Sequence, residues 1–185
     1  MDKPSIMTSG EGKQKVIVEV PDEFTFQLVF RQTRTEPFKI QAIAGLKFHF
    51  IDDIAKGMSA WPKIRTIQSA SSTLKTLAKI SRGRTFYYIT EHEDIIHTGW
   101  ITPSSCKYYN VRSGDIVIGP IWSSESTRGR GIGAWGTKLA INKLIETGST
   151  VFFIDTSNNN IPCLKLIDNC EFSSPIATYI RREDS

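Results

Sequence analysis

The chain has 185 residues, of which 39% are hydrophobic and 23% charged, and its formal net charge is +4. This composition is typical of a globular protein with a single core, and it excludes a low-complexity or disordered chain. The basic balance is mild and contains no dense block of Lys and Arg. Nucleic acid is therefore not the expected partner.

The three cysteines, Cys106, Cys163 and Cys170, form no CxxC pair. They predict reduced thiols rather than a disulfide framework or a metal site. Residues 1–14 are polar and lack the apolar core of a signal peptide, and no apolar run approaches the ~20 residues of a membrane span. We expect a cytoplasmic protein with a mobile tail over residues 1–14 and one domain over residues 15–185.

In chain order, the periodicity predicts an α+β fold. Alternating apolar residues from Val16 to Phe30 indicate a strand or hairpin. Helices are predicted over residues 50–56 and 72–82, followed by three neighbouring antiparallel strands over 85–90, 95–101 and 115–122, the third with a bulge at Gly119-Pro120. The pattern ends with a helix over 132–147, an apolar strand over 151–154, a helix from Pro162 to about Asn169 and a strand over 176–181.

A glycine-rich stretch before one of the predicted helices has a pattern typical of anion-binding loops. In Arg128-Gly129-Arg130-Gly131-Ile132-Gly133 three glycines alternate with other residues just before the helix over 132–147. Glycines allow the backbone to approach a ligand closely, and successive N–H groups at a helix N-terminus favour an anion. The loop therefore predicts a site for a phosphate or pyrophosphate.

The same residues allow a second interpretation. Gly131 to Gly136 match the dinucleotide fingerprint G-x-G-x-x-G, and Asp155 ends the next strand, as in a dinucleotide-binding oxidoreductase. Two observations disfavour it: residues 123–128 separate the strand from the first glycine, and only residues 137–185 follow the motif. These are too few to complete two βαβαβ halves.

Together, two motifs resemble the GNAT superfamily of acyl-CoA-dependent acetyltransferases. Residues 128–133 fit its pyrophosphate loop, Q/R-x-x-G-x-G/A, and residues 160–172 run in register with its segment Asn-x-x-Ala-x-x-Leu-Tyr-x-x-x-Gly-Phe. This resemblance implies a mixed, mostly antiparallel sheet flanked by helices, whose middle strands, 115–122 and 151–154, splay apart. It also implies a small-molecule acceptor with a primary amine and leaves a homodimer open.

The resemblance further implies which residues meet acetyl-CoA. The loop would hold the pyrophosphate, Asn160 and Cys163 would face the cofactor, and strand N–H groups would stabilise the oxyanion. The implied contacts are Ile121, Trp122, Ser123, Arg128, Gly129, Arg130, Gly131, Ile132, Gly133, Asn160 and Cys163. The runs Gly119–Trp122 and His97–Trp100 are also similar to acetyltransferases of bacterial surface-polysaccharide synthesis, which modify nucleotide-linked amino sugars.

Two positions depart from the family pattern. Ile167 stands where the family has a tyrosine that protonates the departing thiolate, and Glu171 stands where it has a glycine. The first departure motivates an alternative function, a non-catalytic acyl-CoA-binding or regulatory module. Because Glu is reluctant to adopt a positive φ, the second predicts a changed turn conformation.

The catalytic base is not identified by any motif. His97, in a predicted strand, and Glu125, at the mouth of the expected cleft, are the candidates, with a structural histidine and a solvated glutamate as the competing interpretations. Tyr108 and Tyr109 could supply the missing acid, line the acceptor pocket or simply pack. Lys75, Lys79, Arg82 and Arg84 form one basic face, interpreted as solvated.

Overall fold

The computed structural model describes residues 7–8 and 26–180. The strands are β1 (Met7–Thr8), β2 (Phe26–Thr33), β3 (Leu46–Ile51), β4 (Thr85–Glu91), β5 (Asp94–Pro103), β6 (Ile116–Ser123), β7 (Val151–Ser157) and β8 (Ala177–Ile180). The helices are α1 (Ile54–Ser59), α2 (Trp61–Ile64), α3 (Ala70–Ile80), α4 (Ile132–Glu146) and α5 (Ile161–Asn169). A 3₁₀ turn over Glu125–Thr127 connects β6 to the glycine loop.

The strands form one sheet in the order β1-β8-β2-β7-β6-β5-β4-β3. Within the described residues every neighbouring pair is antiparallel except β6 and β7, which are parallel. This confirms the predicted mixed, mostly antiparallel sheet. It also excludes the dinucleotide interpretation, because that fold requires a mostly parallel, doubly wound sheet.

Helices cover both faces of the sheet. Tyr87 packs in the core beneath α4 and α5, whereas its neighbours Phe86 and Tyr88 pack against α1, α2 and α3. Because successive side chains of a strand point to opposite faces, these two helical groups lie on opposite sides. On the α1–α3 side, Tyr109 and its neighbours in the β5–β6 connection cover Val117 and Phe153, near the middle of the sheet.

Most of the expected elements are present with shifted ends. The main error concerns residues 50–56, where β3 runs to Ile51 and the helix begins only at Ile54. Strand β7 continues to Ser157, beyond its apolar part. The predicted strand residues Val16 to Phe24 lie outside the described residues, as does most of the predicted tail. Met7 and Thr8 of that tail pair with β8.

The turn after α5 corrects one expectation. Glu171 does adopt a positive φ, +61°, as the family's glycine would. Its N–H donates to the Asp168 carbonyl at 2.8 Å and the Phe172 N–H donates to the Ile167 carbonyl at 3.3 Å, which is the Schellman pattern. The side chain of Gln32 donates to the Glu171 carbonyl at 3.1 Å. These bonds, with an ion pair from Arg34 to the Glu171 carboxylate, oppose the cost of the left-handed backbone.

None of the helices within the described residues has both the length and the apolarity needed to cross a lipid bilayer.

Candidate active site

A cleft opens in the sheet where β6 and β7 part. The two strands pair over residues 116–118 and 152–154 only, and their following residues diverge. The predicted bulge lies at this point: Ile118 pairs with Ile101 and Ile121 pairs with Gly99, so Gly119 and Pro120 stand opposite a single residue of β5. The splayed strands expected from the resemblance are therefore present.

The cleft is a cavity of about 760 Å³. Its walls come from residues 117–121 and 123 of β6, residues 154–157 of β7, the first turns of α5 and the β5–β6 connection. Gln27, Arg84 and Thr102 of β5 complete the lining. A volume in this range is typical of a small-molecule site, and many of the side chains that line it are polar or charged.

The end of β6 presents backbone N–H groups to this cleft. Ser124 N donates to the Ile96 carbonyl at 2.9 Å, so residues 124 and 96 form a hydrogen-bonded pair of the antiparallel ladder. Such pairs alternate with non-bonded ones, so Trp122 uses its N–H within the ladder. The N–H groups of Ile121 and Ser123 then point away from β5, towards the gap.

Trp122 is thus placed differently from its two neighbours. Its side chain is 47% exposed and it does not line the cavity, whereas Ile121 and Ser123 do. Of the three strand residues expected to meet the cofactor, the geometry brings Ile121 and Ser123 to the cleft wall.

The glycine loop ends in an uncapped helix. Gly129 and Gly131 have φ values of +79° and +74°, in the left-handed region that glycine adopts without steric cost. Gly131 is the N-cap of α4, and no side chain within the described residues accepts a hydrogen bond from the first N–H groups. Because these groups have no intrahelical partner, Ile132 and Gly133 present donors at the positive end of the helix dipole.

The two arginine side chains of the loop are paired with carboxylates of this chain. Both guanidinium nitrogens of Arg130 donate to the Glu91 carboxylate, at 2.9 and 2.6 Å. Arg128 forms an ion pair with Glu125 at 3.5 Å. The N–H groups of Arg128 and Arg130 donate to the carbonyls of Glu125 and Thr127, at 3.2 and 3.4 Å. The loop therefore offers an anion the N–H groups of Ile132 and Gly133, with the Arg130 side chain bonded to β4.

His97 lies beneath the first turns of α4 and is fully buried. The helix carries glycines at this crossing: a Cβ at Gly136 would stand 2.6 Å from Cδ1 of Ile89 and 3.3 Å from Cδ2 of His97, and one at Gly133 would stand 2.8 Å from Cδ1 of Leu166. Nδ1 is hydrogen bonded to Ser123 Oγ at 2.8 Å, and Nε2 has no partner.

This placement separates His97 from the cleft. Burial lowers its pKa from 6.5 to about 4, so the imidazole is uncharged at neutral pH. It does not line the cavity, but Ser123 does. His97 is therefore linked to the cleft lining by its hydrogen bond to Ser123 and does not itself line the cleft.

The second candidate base, Glu125, is in the 3₁₀ turn before the loop and its side chain is 88% exposed. It does not line the cavity. The structure thus places neither candidate base in the cleft.

Helix α5 supplies the remaining expected contacts. Asn160 is its N-cap, where Oδ1 accepts from Cys163 N at 3.3 Å, and both residues line the cavity. Burial raises the pKa of the Cys163 thiol, which disfavours the nucleophilic thiolate. Ile167 is 2% exposed and packs in the core with Phe172, so this position offers no proton donor.

The acidic side chain that lines the cleft is not among the predicted site residues. Asp155 follows the apolar part of β7, where the pattern predicts a loop, yet it continues the strand and lines the cavity. Tyr109 and Tyr179 donate to its two oxygens, at 3.2 and 2.8 Å. The signal that could have found it is an acidic residue directly after a buried strand expected to splay from its neighbour.

No family model matches the sequence, and no curated protein matches it. Solved structures do share its architecture. The GCN5-related N-acetyltransferase from Sphaerobacter thermophilus superposes with a TM-score of 0.62 at 12% identity, over 85% of this chain and 50% of that one. A GNAT-family acetyltransferase from Colwellia psychrerythraea gives 0.58 at 15% identity, over 85% and 56%.

A third similar structure is AAC(6')-Iy, solved with the bisubstrate analogue CoA-S-monomethyl-acetylneamine. It gives a TM-score of 0.54 at 12% identity, over 76% of this chain and 99% of that one. The present chain spans about half the length of the Sphaerobacter and Colwellia structures. The comparisons give no support to the surface-polysaccharide subtype. The similar structures, the splayed strands and the glycine loop lead to the same conclusion: this chain has the fold of the GNAT acetyltransferases.

Proposed function

We propose that the chain is an acetyltransferase that moves an acetyl group from acetyl-CoA to a primary amine of a small molecule. The observation that carries this proposal is that the uncapped N-terminus of α4 lies against the wall of the cleft between β6 and β7: residues 128–133 do not themselves line the cleft, but a Cβ at Gly133 would stand 2.8 Å from Cδ1 of Leu166, which does. A pyrophosphate linked to a long arm matches that pair of features, since the anion suits the N–H groups and the arm suits a narrow gap.

The residues of the cleft suit acyl transfer. When bound, acetyl-CoA supplies an activated thioester. The acceptor nitrogen attacks the carbonyl carbon, the carbon–sulfur bond breaks and the nitrogen loses a proton. The N–H groups of Ile121 and Ser123, aimed into the gap, would donate to the carbonyl oxygen as negative charge develops on it.

Loss of the family's tyrosine at Ile167 does not prevent this reaction. A thiol has an ordinary pKa of about 8.5, so a thiolate is a tolerable leaving group at neutral pH without an acid. The Asp155 carboxylate is the ionisable base that the structure places on the cleft wall. It is better placed than His97 or Glu125 to accept the amine proton, directly or through water.

Isothermal titration with acetyl-CoA tests the proposal. Gly131→Ala should weaken binding about 10-fold, because a Cβ makes the left-handed conformation cost ~1 to 2 kcal/mol. Gly148→Ala is the matched control: its φ is +91°, and a Cβ there, as at Gly131, would have no neighbour within 4 Å. Absence of acetyl-CoA binding to the folded wild-type chain would refute the proposal.

The apolar, buried Ile167 favours one alternative, a non-catalytic acyl-CoA-binding or regulatory module. Turnover separates the two functions. Acetyl-CoA binding without CoA release, across a panel of alkylamines, amino sugars and peptides, would favour the module. The cytoplasmic location and the homodimer remain predictions from the sequence.

A further inference from the structure

The cleft carries opposite charges on one face of the sheet. Asp155 of β7 is its acidic lining residue, and Arg84, which directly precedes β4, and Lys107 of the β5–β6 connection are its basic ones. The charges of Asp155 and Arg84 are not neutralised by an ion pair: none of the ion pairs found within residues 26–180 includes either residue. Charged groups in a partly buried site are ordinarily paired, so two unpaired ones of opposite sign indicate a ligand that bears both complementary charges.

Two hydrogen bonds hold the Asp155 carboxyl group in place as an acceptor. Burial and the neighbouring Asp155 charge raise the pKa values of Tyr109 and Tyr179, so both phenols stay protonated and donate to the carboxylate. One hydrogen bond to each oxygen leaves further lone pairs for an ammonium group. Two buried tyrosines therefore fix the orientation of a carboxylate that has acceptor capacity left for the cleft.

Arg84 is held in a comparable way. Its Nε donates to Thr102 Oγ1 at 2.9 Å, and its guanidinium lies 5.3 Å from the ring centroid of Trp100. Partial burial lowers its pKa, but a guanidinium stays charged at any physiological pH. The other guanidinium nitrogens are donors in the fork geometry that suits a carboxylate or a phosphate.

The register of the sheet places Asp155 and Thr102, the hydrogen-bond partner of Arg84, on the same face and separates their backbones. Thr102 pairs with Val117, and Val117 pairs with Phe153, so these residues cross β5, β6 and β7 in one row. Asp155 is two residues beyond Phe153 and so points to the same face. Two strand spacings and two residue rises put the backbones of Thr102 and Asp155 at least about 12 Å apart, because β7 diverges from β6 beyond Ile154.

We infer that the acceptor is a primary amine carrying an anionic group, a carboxylate or a phosphate, several bonds from the nitrogen. Asp155 binds the amine and Arg84 binds the anion. This inference names the substrate class of the acetyl transfer proposed above and rests on that function. Because the two backbones are far apart, we expect amino acids with one carbon between the two groups to contact only one of the side chains.

Three probes of one chain length test it: pentylamine, 5-aminopentanoate and 5-aminopentyl phosphate, with glycine as the short control. Two measurements are made for each, the CoA released from acetyl-CoA and the equilibrium binding in the presence of CoA. We expect kcat/KM and affinity to be at least 10-fold higher for the anionic five-carbon amines than for pentylamine or glycine. Comparison of the two anions then shows which one the site takes.

Arg84→Gln should lower kcat/KM for the preferred anionic amine about 10- to 100-fold and leave pentylamine unchanged, because one charge-assisted interaction is lost. Arg82→Gln, an exposed neighbour outside the cavity, should change neither. Asp155→Asn should lower the affinity for all the amines, whereas the exposed control Asp94→Asn should not.

Two results would overturn the inference: wild-type protein that prefers pentylamine, or Arg84→Gln that affects pentylamine and the anionic amines equally. Circular dichroism shows that each variant is folded before it is assayed. Charge-selective binding of the anionic amines with no CoA release from any probe would support the inference while refuting the proposed acetyl transfer.

Discussion

Burial of His97 beneath α4 predicts how the stability of the fold depends on acid. In the folded chain burial lowers the pKa of the imidazole to about 4, whereas the unfolded chain exposes it at 6.5. Between these values the unfolded chain takes up a proton that the folded chain does not. The contribution of His97 to stability is therefore complete above pH 6.5 and is lost as the pH falls towards 4.

The magnitude follows from the difference between the two pKa values. One pKa unit corresponds to about 1.36 kcal/mol, so the free energy of unfolding should fall by about 3 kcal/mol across this window from His97 alone. A domain of this size typically has 5 to 15 kcal/mol in total. The imidazole is fully buried, so solvent does not screen the effect.

This contribution of His97 to the free energy of unfolding is measured by urea unfolding of the wild type and of His97→Asn at several pH values from 7.5 to 4. The variant should be less stable at pH 7.5, because it loses core packing and disturbs the bond to Ser123. Its deficit relative to wild type should then shrink by about 3 kcal/mol towards pH 4, since the carboxylates titrate in both proteins and cancel.

His49 provides the control. It is only partly buried and burial lowers its pKa too, so His49→Asn should change the pH profile less than His97→Asn does. If the profiles of wild type and His97→Asn run parallel, the imidazole titrates normally in the fold and the reasoning is wrong.

Three further predictions concern stability and use urea unfolding at pH 7.5. Glu171→Gly should be more stable than Glu171→Ala by about 1 kcal/mol, because only the positive φ distinguishes them; equal stability would contradict the left-handed turn. Gly99→Ala should cost about 3 kcal/mol or more, since its Cβ would lie 2.2 Å from Cζ of the buried Tyr87. Thr137→Val should cost about 1 to 3 kcal/mol by leaving the Tyr87 hydroxyl, now bonded at 3.1 Å, without a partner. A neutral effect at either site would show that Tyr87 can move.

Local sequence patterns predict much of the fold. The glycines before α4 and the apolar stripe within it predict the helix start within one residue, because both signals are confined to a few neighbouring positions. The Gly119-Pro120 pair predicts the bulge in β6 for the same reason: neither residue supports a regular ladder. The prediction of a helix over residues 50–56 is wrong because a short run of apolar residues fits both the helical and the strand periodicity. Residues up to Ile51 form a strand because they pair with β4.

Local sequence patterns do not predict the conformation of residues that depends on partners distant in the sequence. Glu171 keeps a left-handed backbone because Gln32 and Arg34, remote in sequence, hold the turn. Asp155 reads as the start of a loop in sequence and becomes a cleft residue only because β7 continues past its pairing with β6.

The sequence by itself determined the glycine loop, the strand and helix that flank it, and the two departures at Ile167 and Glu171. Each of these depends on residue types within a few positions of one another. Only the tertiary structure decided what the charged and titratable residues can do. It buried His97 under α4, left Glu125 in solvent and set Asp155 and Arg84 on one wall, because burial and charge pairing are properties of contacts between remote segments.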